Sequence, residues 1–227
     1  MMSNNISIRT DLKILVIGCS GAGKTSFVQR WIKGEFQSVY SPTIVSEFQY
    51  KIFECRGNCY RIQLWDIGGQ DKTPSMAKIF TRDSHGCIVI SDITRKETFE
   101  ETQKWKKIVD DESAFIDGDK LPFILIQNKI DLIKNDEDYL THVANQSKKL
   151  SENKEYIGYY MTSVKENINV EEPINFLIDN IVDRLEKFSG EGNYNNINNN
   201  NNNNEDNRRN TYKLDKNAKK DKKKGCC

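Results

Sequence analysis

One glycine-rich segment restricts the fold of the chain more than any other feature: residues 18–25 read GCSGAGKT. The segment fits the pattern G-x-x-x-x-G-K-[ST], follows an apolar run at residues 12–17 and opens a helical pattern over residues 24–33. Glycines allow backbone N–H groups to converge on an anion at a helix N-terminus. The segment therefore predicts a strand, a phosphate-binding loop and a helix in succession, with Lys24 reaching the β- and γ-phosphates and the Thr25 hydroxyl binding Mg²⁺.

Residues 11–188 alternate short β-branched runs with helical periodicity, the pattern of an α/β domain with a mostly parallel sheet. The predicted strands cover residues 12–17, 45–53, 60–65, 87–91, 123–127 and 156–161, and the predicted helices cover residues 24–33, 99–111, 139–152 and 171–187. Gly57 and Asn58 supply turn chemistry, which predicts a hairpin between the second and third strands. The last helix has one apolar stripe, formed by Ile174, Leu177, Ile178, Ile181 and Leu185.

The composition changes abruptly after residue 188. Residues 195–204 are asparagine except for Ile197, and residues 205–227 carry nine Lys or Arg against four acidic residues. A segment so poor in apolar residues cannot offset its ordering entropy, so we expect residues 189–227 to be a disordered tail and residues 1–10 a flexible N-terminus. The formal charge of the whole chain is only +1, which gives no reason to expect a nucleic-acid partner.

The sequence indicates a cytosolic chain. It contains no run of roughly 18 apolar residues, and its start lacks the apolar core of a secretory signal. Cys19, Cys55, Cys59 and Cys87 are scattered, and Cys226 and Cys227 end the chain, so the cysteines form no disulfide framework. We expect the body thiols to be reduced.

A second motif indicates which base is bound. Asn128-Lys129-Ile130-Asp131 directly follows the apolar run at residues 123–127, at the carboxyl end where such sheets bind ligands. Guanine presents two adjacent donors, N1–H and the exocyclic amine, which one carboxylate such as Asp131 can accept together. Adenine offers an acceptor at N1 and no amine at C2, so a buried carboxylate disfavours it.

Five motifs in order carry a family resemblance: GCSGAGKTS at residues 18–26, YSPT at 40–43, WDIGGQ at 65–70, NKID at 128–131 and TSVK at 162–165. With them the chain resembles a Ras-superfamily small GTPase, and most of all the Rab branch. The resemblance implies a P-loop GTPase domain whose mostly parallel six-stranded sheet has one antiparallel edge strand and helices on both faces. It also implies binding of GTP or GDP with Mg²⁺.

The same resemblance implies roles for individual residues. The residues expected to contact the nucleotide are Gly18, Ser20, Gly21, Ala22, Gly23, Lys24, Thr25, Ser26, Phe36, Tyr40, Thr43, Gly69, Asn128, Lys129, Asp131, Ser163, Val164 and Lys165. Mg²⁺ is expected to be held by Thr25, Thr43 and Asp66, and the catalytic Gln70 to position the attacking water. Phe48, Trp65 and Phe80 are expected to form an aromatic effector surface. Ile67 and residues 166–172 resemble the Rabs that serve lysosome-related organelles and phagosomes.

The sequence departs from the Rab pattern around the second switch. Gly68-Gly69 precedes Gln70 and Pro74 follows it, so a GTP-binding, hydrolysis-deficient scaffold with an atypical second switch is the alternative to a hydrolysing switch. Residues 34–42 contain no arginine, which predicts slow intrinsic hydrolysis that needs an activating protein. A P-loop nucleoside kinase is a further alternative. The NKID and TSVK motifs argue against it.

The C-terminus, Lys222-Lys223-Lys224-Gly225-Cys226-Cys227, resembles the double geranylgeranylation signal of Rabs. Two lipid chains beside lysines anchor a protein stably. The resemblance implies an exchange factor, a GTPase-activating protein, a GDP-dissociation inhibitor, effectors, and a Rab escort protein with its geranylgeranyl transferase as partners. We expect a monomer, lipid-anchored on the cytoplasmic face of endomembranes with a cytosolic pool, acting in vesicle traffic.

Overall fold

The computed structural model describes residues 8–37, 47–68, 79–133, 136, 138–141, 145 and 155–190. Its six strands are β1 (Ile8–Gly18), β2 (Glu47–Cys55), β3 (Asn58–Asp66), β4 (Gly86–Asp92), β5 (Phe123–Asn128) and β6 (Gly158–Thr162). Its helices are α1 (Lys24–Lys33), α2 (Lys96–Glu112) and α3 (Glu171–Gly190), with a short 3₁₀-helix at Ile130–Leu132.

Several predicted features lie outside the described residues. They are Tyr40, Thr43, Gly69, Gln70, Cys226, Cys227, most of the predicted helix at residues 139–152, and nearly all of the two predicted terminal segments.

The six strands form one sheet in the order β2-β3-β1-β4-β5-β6. β2 pairs antiparallel with β3, and every other neighbouring pair is parallel. The predicted mostly parallel sheet with one antiparallel edge strand is thus confirmed. Because the five parallel strands run the same way, their carboxyl ends meet at one edge, where Gly18, Asp66, Asp92, Asn128 and Thr162 lie together.

Helices cover both faces of the sheet, as two neighbouring residues of β4 demonstrate. A Cβ atom on Gly86 would lie 2.8 Å from Ile181 Cδ1 of α3, whereas Cys87 lies near Lys106 of α2. Successive strand residues point to opposite faces, so α3 and α2 lie on opposite sides. All seven residues of β4 and all six of β5 are therefore buried, as expected for parallel strands that are covered twice.

For the three predicted helices that the structure describes in full, the predicted bounds are correct or slightly short. α1 has the predicted bounds because Gly34 adopts the left-handed conformation, with φ of 73°, and caps it. α2 begins three residues earlier than predicted, where Thr98 Oγ1 donates to Arg95 O at 2.7 Å and closes the first turn. α3 continues to Gly190, and its predicted apolar stripe is buried.

The predicted hairpin between β2 and β3 is confirmed, and its turn is shorter than the predicted connection over residues 54–59. Cys55 pairs with Asn58, so the two turn residues are Arg56 and Gly57, with φ of 50° and 73°. Two left-handed residues match the twist of the flanking strands. Arg56 tolerates this conformation at the turn, and its Nε donates to Asp179 Oδ1 of α3 at 2.9 Å.

Two further observations concern thiols and membrane spans. Within the part of the chain that the structure describes, no disulfide joins Cys19, Cys55, Cys59 or Cys87. Among the described residues, no helix combines the length and apolar character needed to cross a membrane.

His85 makes the stability of the fold depend on pH. Its Nδ1 accepts the backbone N–H of Lys13 at 3.2 Å, and its own backbone N–H donates to Lys13 O at 2.8 Å. Burial lowers the pKa of His85, an effect that Asp83 opposes and Lys13 reinforces. The folded state therefore keeps the imidazole neutral at a pH where the unfolded chain, with a histidine pKa of about 6.5, already binds a proton.

We expect the contribution of His85 to the free energy of unfolding to be constant above a pH of about 6.5. Below that pH the free energy of unfolding should decrease, because the unfolded chain binds a proton that the folded imidazole does not. His85→Gln removes the titrating group and should flatten this decrease, measured by urea denaturation at several pH values between about 5 and 8. His142→Gln, which removes the other histidine, is the matched control. Equal pH slopes in the wild type and His85→Gln would show that His85 does not link folding to protons.

Candidate nucleotide-binding site

The glycine-rich loop joins the end of β1 to the start of α1, as predicted. At Gly18 a Cβ atom would lie 2.1 Å from Ile90 O, and at Gly23 it would lie 2.4 Å from Asn128 Nδ2. Both residues also have positive φ, 137° and 98°, a region that only glycine adopts freely. The two glycines let the loop backbone pass closely under the neighbouring strands, and the loop ends at the N-terminus of a helix of ten residues.

Lys24 lies over this loop instead of extending into solvent. Only 5% of its surface is exposed, and its Nζ donates to Gly18 O and Cys19 O, each at 3.0 Å. The ammonium group is therefore held within the concavity that the loop backbone forms. A buried cation beside a helix N-terminus is suited to phosphate oxygens.

Thr25 and Asp66 form an oxygen-rich pair beside the loop. Thr25 Oγ1 donates to Asp66 Oδ2 at 2.5 Å, and Asp66 is 4% exposed at the carboxyl end of β3. Their positions are set by the parallel pairing of β3 with β1, in which Val16 is opposite Asp66. A hydroxyl and a carboxylate are the hard oxygen donors that Mg²⁺ prefers, so these residues fit the predicted metal. The third predicted ligand, Thr43, lies outside the described residues.

Asn128, at the end of β5, connects the phosphate loop to the loop that follows β6. Its Nδ2 donates to Ala22 O at 2.9 Å, and its Oδ1 accepts from Thr162 Oγ1 and from the backbone N–H of Val164, each at 3.2 Å. The N–H of Val164, one of the residues expected to contact the nucleotide, is therefore already engaged by the Asn128 side chain. A guanine carbonyl would share this donor with the Asn128 amide oxygen.

Asp131 is held by the loop that follows β6. Ser163 Oγ donates to Asp131 Oδ1 at 2.6 Å and accepts the backbone N–H of Glu166 at 3.0 Å. Ser163 is fully buried, whereas Asp131 is half-buried in the 3₁₀-helix that follows β5. The hydroxyl of Ser163 thus orients a carboxylate that stays accessible to a ligand.

Lys129 is fixed by an acidic residue of the neighbouring strand. It adopts the left-handed conformation with φ of 75°, and its Nζ lies 2.7 Å from Asp92 Oδ2. The same oxygen accepts Arg95 Nε at 3.1 Å, and Arg95 Nη2 donates to Ser20 O of the phosphate loop at 3.1 Å. One carboxylate therefore connects the base-side loop to the phosphate loop.

The pKa of Asp92 reflects these contacts. Asp92 is only 3% exposed, and burial by itself would raise the pKa of its carboxyl group. Hydrogen bonds from Lys129 and Thr94 outweigh burial and bring the pKa of Asp92 below its ordinary value. The carboxylate stays charged and retains both cationic partners at neutral pH.

The structure brings most of the described, predicted site residues to one edge of the sheet. They are Gly18, Ser20, Gly21, Ala22, Gly23, Lys24, Thr25, Ser26, Asp66, Asn128, Lys129, Asp131, Ser163, Val164 and Lys165. Phe36, just after α1, is half-buried, with its ring centroid 5.7 Å from Arg30 Cζ. Tyr40, Thr43, Gly69 and Gln70 lie outside the described residues.

The predicted aromatic surface is brought together in part. The rings of Phe48 and Trp65 stack with centroids 5.0 Å apart, and Phe48 is 51% exposed. Phe80 is half-buried against the core, and no ring contact joins it to the other two among the described residues.

Three residues at this site escaped the sequence analysis: Asp92, Arg95 and Arg30. Asp92 carried a usable signal, because it is an acid at the carboxyl end of an apolar strand, where such sheets bind ligands. Arg30 and Arg95 carried none, because an arginine in or beside a helix is ordinarily a solvated residue.

Comparison with known proteins agrees with this geometry. The Ras family model matches residues 13–183 of the chain. The Ras-related protein Rab-32A of Dictyostelium discoideum is 37% identical over 172 residues, which cover 75% of this chain and 77% of that protein. Human Ras-related protein Rab-32 is 34% identical over 182 residues, covering 80% and 79% of the two chains. Human Ras-related protein Rab-7L1 is 33% identical over 189 residues, covering 81% and 91%.

The matched segment begins within β1 and ends within α3, so it contains the glycine-rich loop and the loops that follow β5 and β6. The identities extend over most of each relative as well as most of this chain. The chain therefore belongs to the Ras family, in which it is a Rab-type small GTPase that binds GTP and GDP with Mg²⁺ and hydrolyses GTP.

Proposed function

We propose that this protein is a membrane-anchored switch that recruits effector proteins in vesicle traffic while it holds GTP. The observation that carries the proposal is the position of Asn128, whose side chain contacts both the phosphate loop and the loop after β6. A single residue thus joins the part of the site suited to phosphate with the part suited to a base. A nucleotide that spans both parts would thus contact two loops that Asn128 already joins.

On the phosphate side, the backbone N–H groups of the loop and the Lys24 ammonium bind the β- and γ-phosphates. Thr25 and Thr43 supply hydroxyl ligands to the metal, and Asp66 holds it through water. Bound Mg²⁺ neutralises charge on the phosphate oxygens. The short contact between Thr25 and Asp66 supports this assignment, because it keeps two hard oxygen donors at one point.

On the base side, Asp131 accepts the two adjacent donors of guanine. The aliphatic stem of Lys129 covers one face of the base and the ring of Phe36 covers the other. The contacts of Ser163 with Asp131 and of Asp92 with Lys129 support this assignment, because they restrict both side chains before a ligand arrives.

Switching depends on Thr43 and the backbone N–H of Gly69, which engage the γ-phosphate and release their loops when it is lost. Gln70 positions the attacking water. Residues 34–42 contain no arginine, so an activating protein supplies the missing positive charge and intrinsic hydrolysis is slow. An exchange factor and a GDP-dissociation inhibitor complete the cycle.

The stacked pair Phe48 and Trp65 is the candidate centre of the effector surface, because exposed aromatic residues dominate the energetics of protein interfaces. Residues 11–188 form the switch domain, and residues 189–227 act as a spacer. An escort protein presents the chain to a geranylgeranyl transferase, which modifies Cys226 and Cys227. The lipid anchor holds the switch on the cytosolic face of an endomembrane.

The test is the identity of the nucleotide released when the purified full-length protein is denatured, separated by ion-exchange chromatography. We expect GDP from the wild type and mostly GTP from Gln70→Leu, because leucine cannot orient the attacking water. GTP from both proteins would favour a hydrolysis-deficient scaffold with an atypical second switch. Adenine nucleotide, or none, would refute the proposed guanine site.

A further inference from the structure

Arg30 lies on α1, one turn before the helix ends, and reaches the loop that follows β6. Its Nε donates to Val164 O at 3.0 Å, and its Nη2 donates to Lys165 O at 3.0 Å. The contact spans 134 residues of sequence. Two consecutive carbonyl groups of the predicted base-reading loop are thus bound by one guanidinium group.

The same guanidinium contacts the chain just after α1. Arg30 Nη1 donates to Gly34 O at 2.9 Å, and Arg30 Cζ lies 5.7 Å from the ring centroid of Phe36. A cation within about 6 Å of a ring centroid is attracted to the ring. Arg30 therefore touches both the loop that contains Val164 and Lys165 and the aromatic ring expected to cover one face of the base.

We propose that Arg30 is a positioning residue that holds residues 163–165 and Phe36 in their base-binding arrangement and so sets the lifetime of bound nucleotide. This inference rests on the proposed guanine site. Ser163 orients Asp131, and Arg30 fixes the two residues that follow Ser163. Loosening that loop also frees the carboxylate that reads the base.

The geometry requires arginine and not merely a positive charge. The donors Nε, Nη1 and Nη2 bind three different carbonyl oxygens at once, and the planar guanidinium holds them in a rigid fork. Lysine carries a single ammonium group on a flexible stem and cannot bridge the helix end and the loop in the same way. The two substitutions Arg30→Lys and Arg30→Gln should therefore have similar effects.

The experiment measures the release of ribose-labelled GDP from the full-length protein in the presence of Mg²⁺ and excess unlabelled GDP. We expect Arg30→Gln and Arg30→Lys to release GDP about 10- to 100-fold faster than the wild type, corresponding to the loss of one or two charge-assisted hydrogen bonds. Combining Arg30→Gln with Phe36→Ala should accelerate release by less than the product of the two single effects, because both act on the same contact.

Arg184 provides the matched control. It lies on α3, donates to Asp117 Oδ1 at 2.7 Å and to Lys120 O at 3.0 Å, and its Cζ lies 4.1 Å from the centroid of the Phe115 ring. It thus makes the same kinds of contact as Arg30 at a place remote from the site. We expect Arg184→Gln to release GDP at the wild-type rate.

Three results would overturn the inference while leaving the guanine site intact. The first is GDP release at the wild-type rate from both Arg30 variants. The second is release from Arg184→Gln as fast as from the Arg30 variants, and the third is release at the wild-type rate from Arg30→Lys. Failure of the wild type itself to retain GDP would refute the proposed guanine site, and the inference with it.

Discussion

Asp131→Asn should weaken GDP binding by roughly 10⁴-fold, the discrimination expected when a site built to pair buried hydrogen-bonding groups loses that pairing. The carboxylate of Asp131 accepts two adjacent N–H groups of guanine, and asparagine instead turns an NH₂ donor toward one of them. Ser163 Oγ, 2.6 Å from Asp131 Oδ1, can still donate to the asparagine oxygen. The loop therefore keeps its local contact, and the loss is confined to base recognition.

The measurement is equilibrium titration of the nucleotide-free protein with GDP and with xanthosine diphosphate. Xanthine has a carbonyl group at C2 where guanine has an amine, so it complements asparagine and should bind Asp131→Asn more tightly than GDP does. Asp136→Asn is the charge-matched control, because Asp136 is exposed and accepts the backbone N–H of Tyr139. Undiminished GDP affinity in Asp131→Asn would refute the base-reading role.

Replacing both Cys226 and Cys227 by serine should abolish membrane association. Two lipid chains give stable anchoring where one is marginal. Lys222, Lys223 and Lys224 each add at most about 1 kcal/mol near anionic lipid. Without the lipids these lysines alone cannot hold the protein on a membrane at physiological salt.

The full-length chain should be produced in eukaryotic cells, and the protein in the membrane pellet and the supernatant quantified after fractionation. Intact mass should show the added lipids on the wild type and none on the double variant. The variant with Cys55→Ser and Cys59→Ser, which changes two body cysteines that are free thiols, should still pellet. Persistent pelleting of the C-terminal variant would exclude a cysteine-linked anchor.

Local sequence patterns correctly predicted the sheet and the succession of strand, glycine-rich loop and helix at β1 and α1. A strand that is buried on both faces is apolar at nearly every position, as in β4 and β5, so its existence can be read without knowledge of its neighbours. The close approaches at Gly18 and Gly23 likewise admit no other residue. Parallel strands then bring their carboxyl ends to one edge.

The sequence was less informative about contacts between distant residues. Arg56, at the turn of the β2–β3 hairpin, contacts Asp179 of α3, 123 residues away. No local propensity encodes an ion pair over such a separation, because propensity reflects only the backbone preferences of neighbouring residues.

By itself, then, the sequence predicted the P-loop fold and the edge of the sheet where the motifs gather. Only the tertiary structure decided how the loops are held: Asp92 fixes Lys129, and Arg30 joins Val164 and Lys165 to the end of α1. The physical reason is that motifs are set by what a ligand requires of a few consecutive residues. The side chains that orient those motifs reach across elements, and their partners are defined only once the helices and strands have packed.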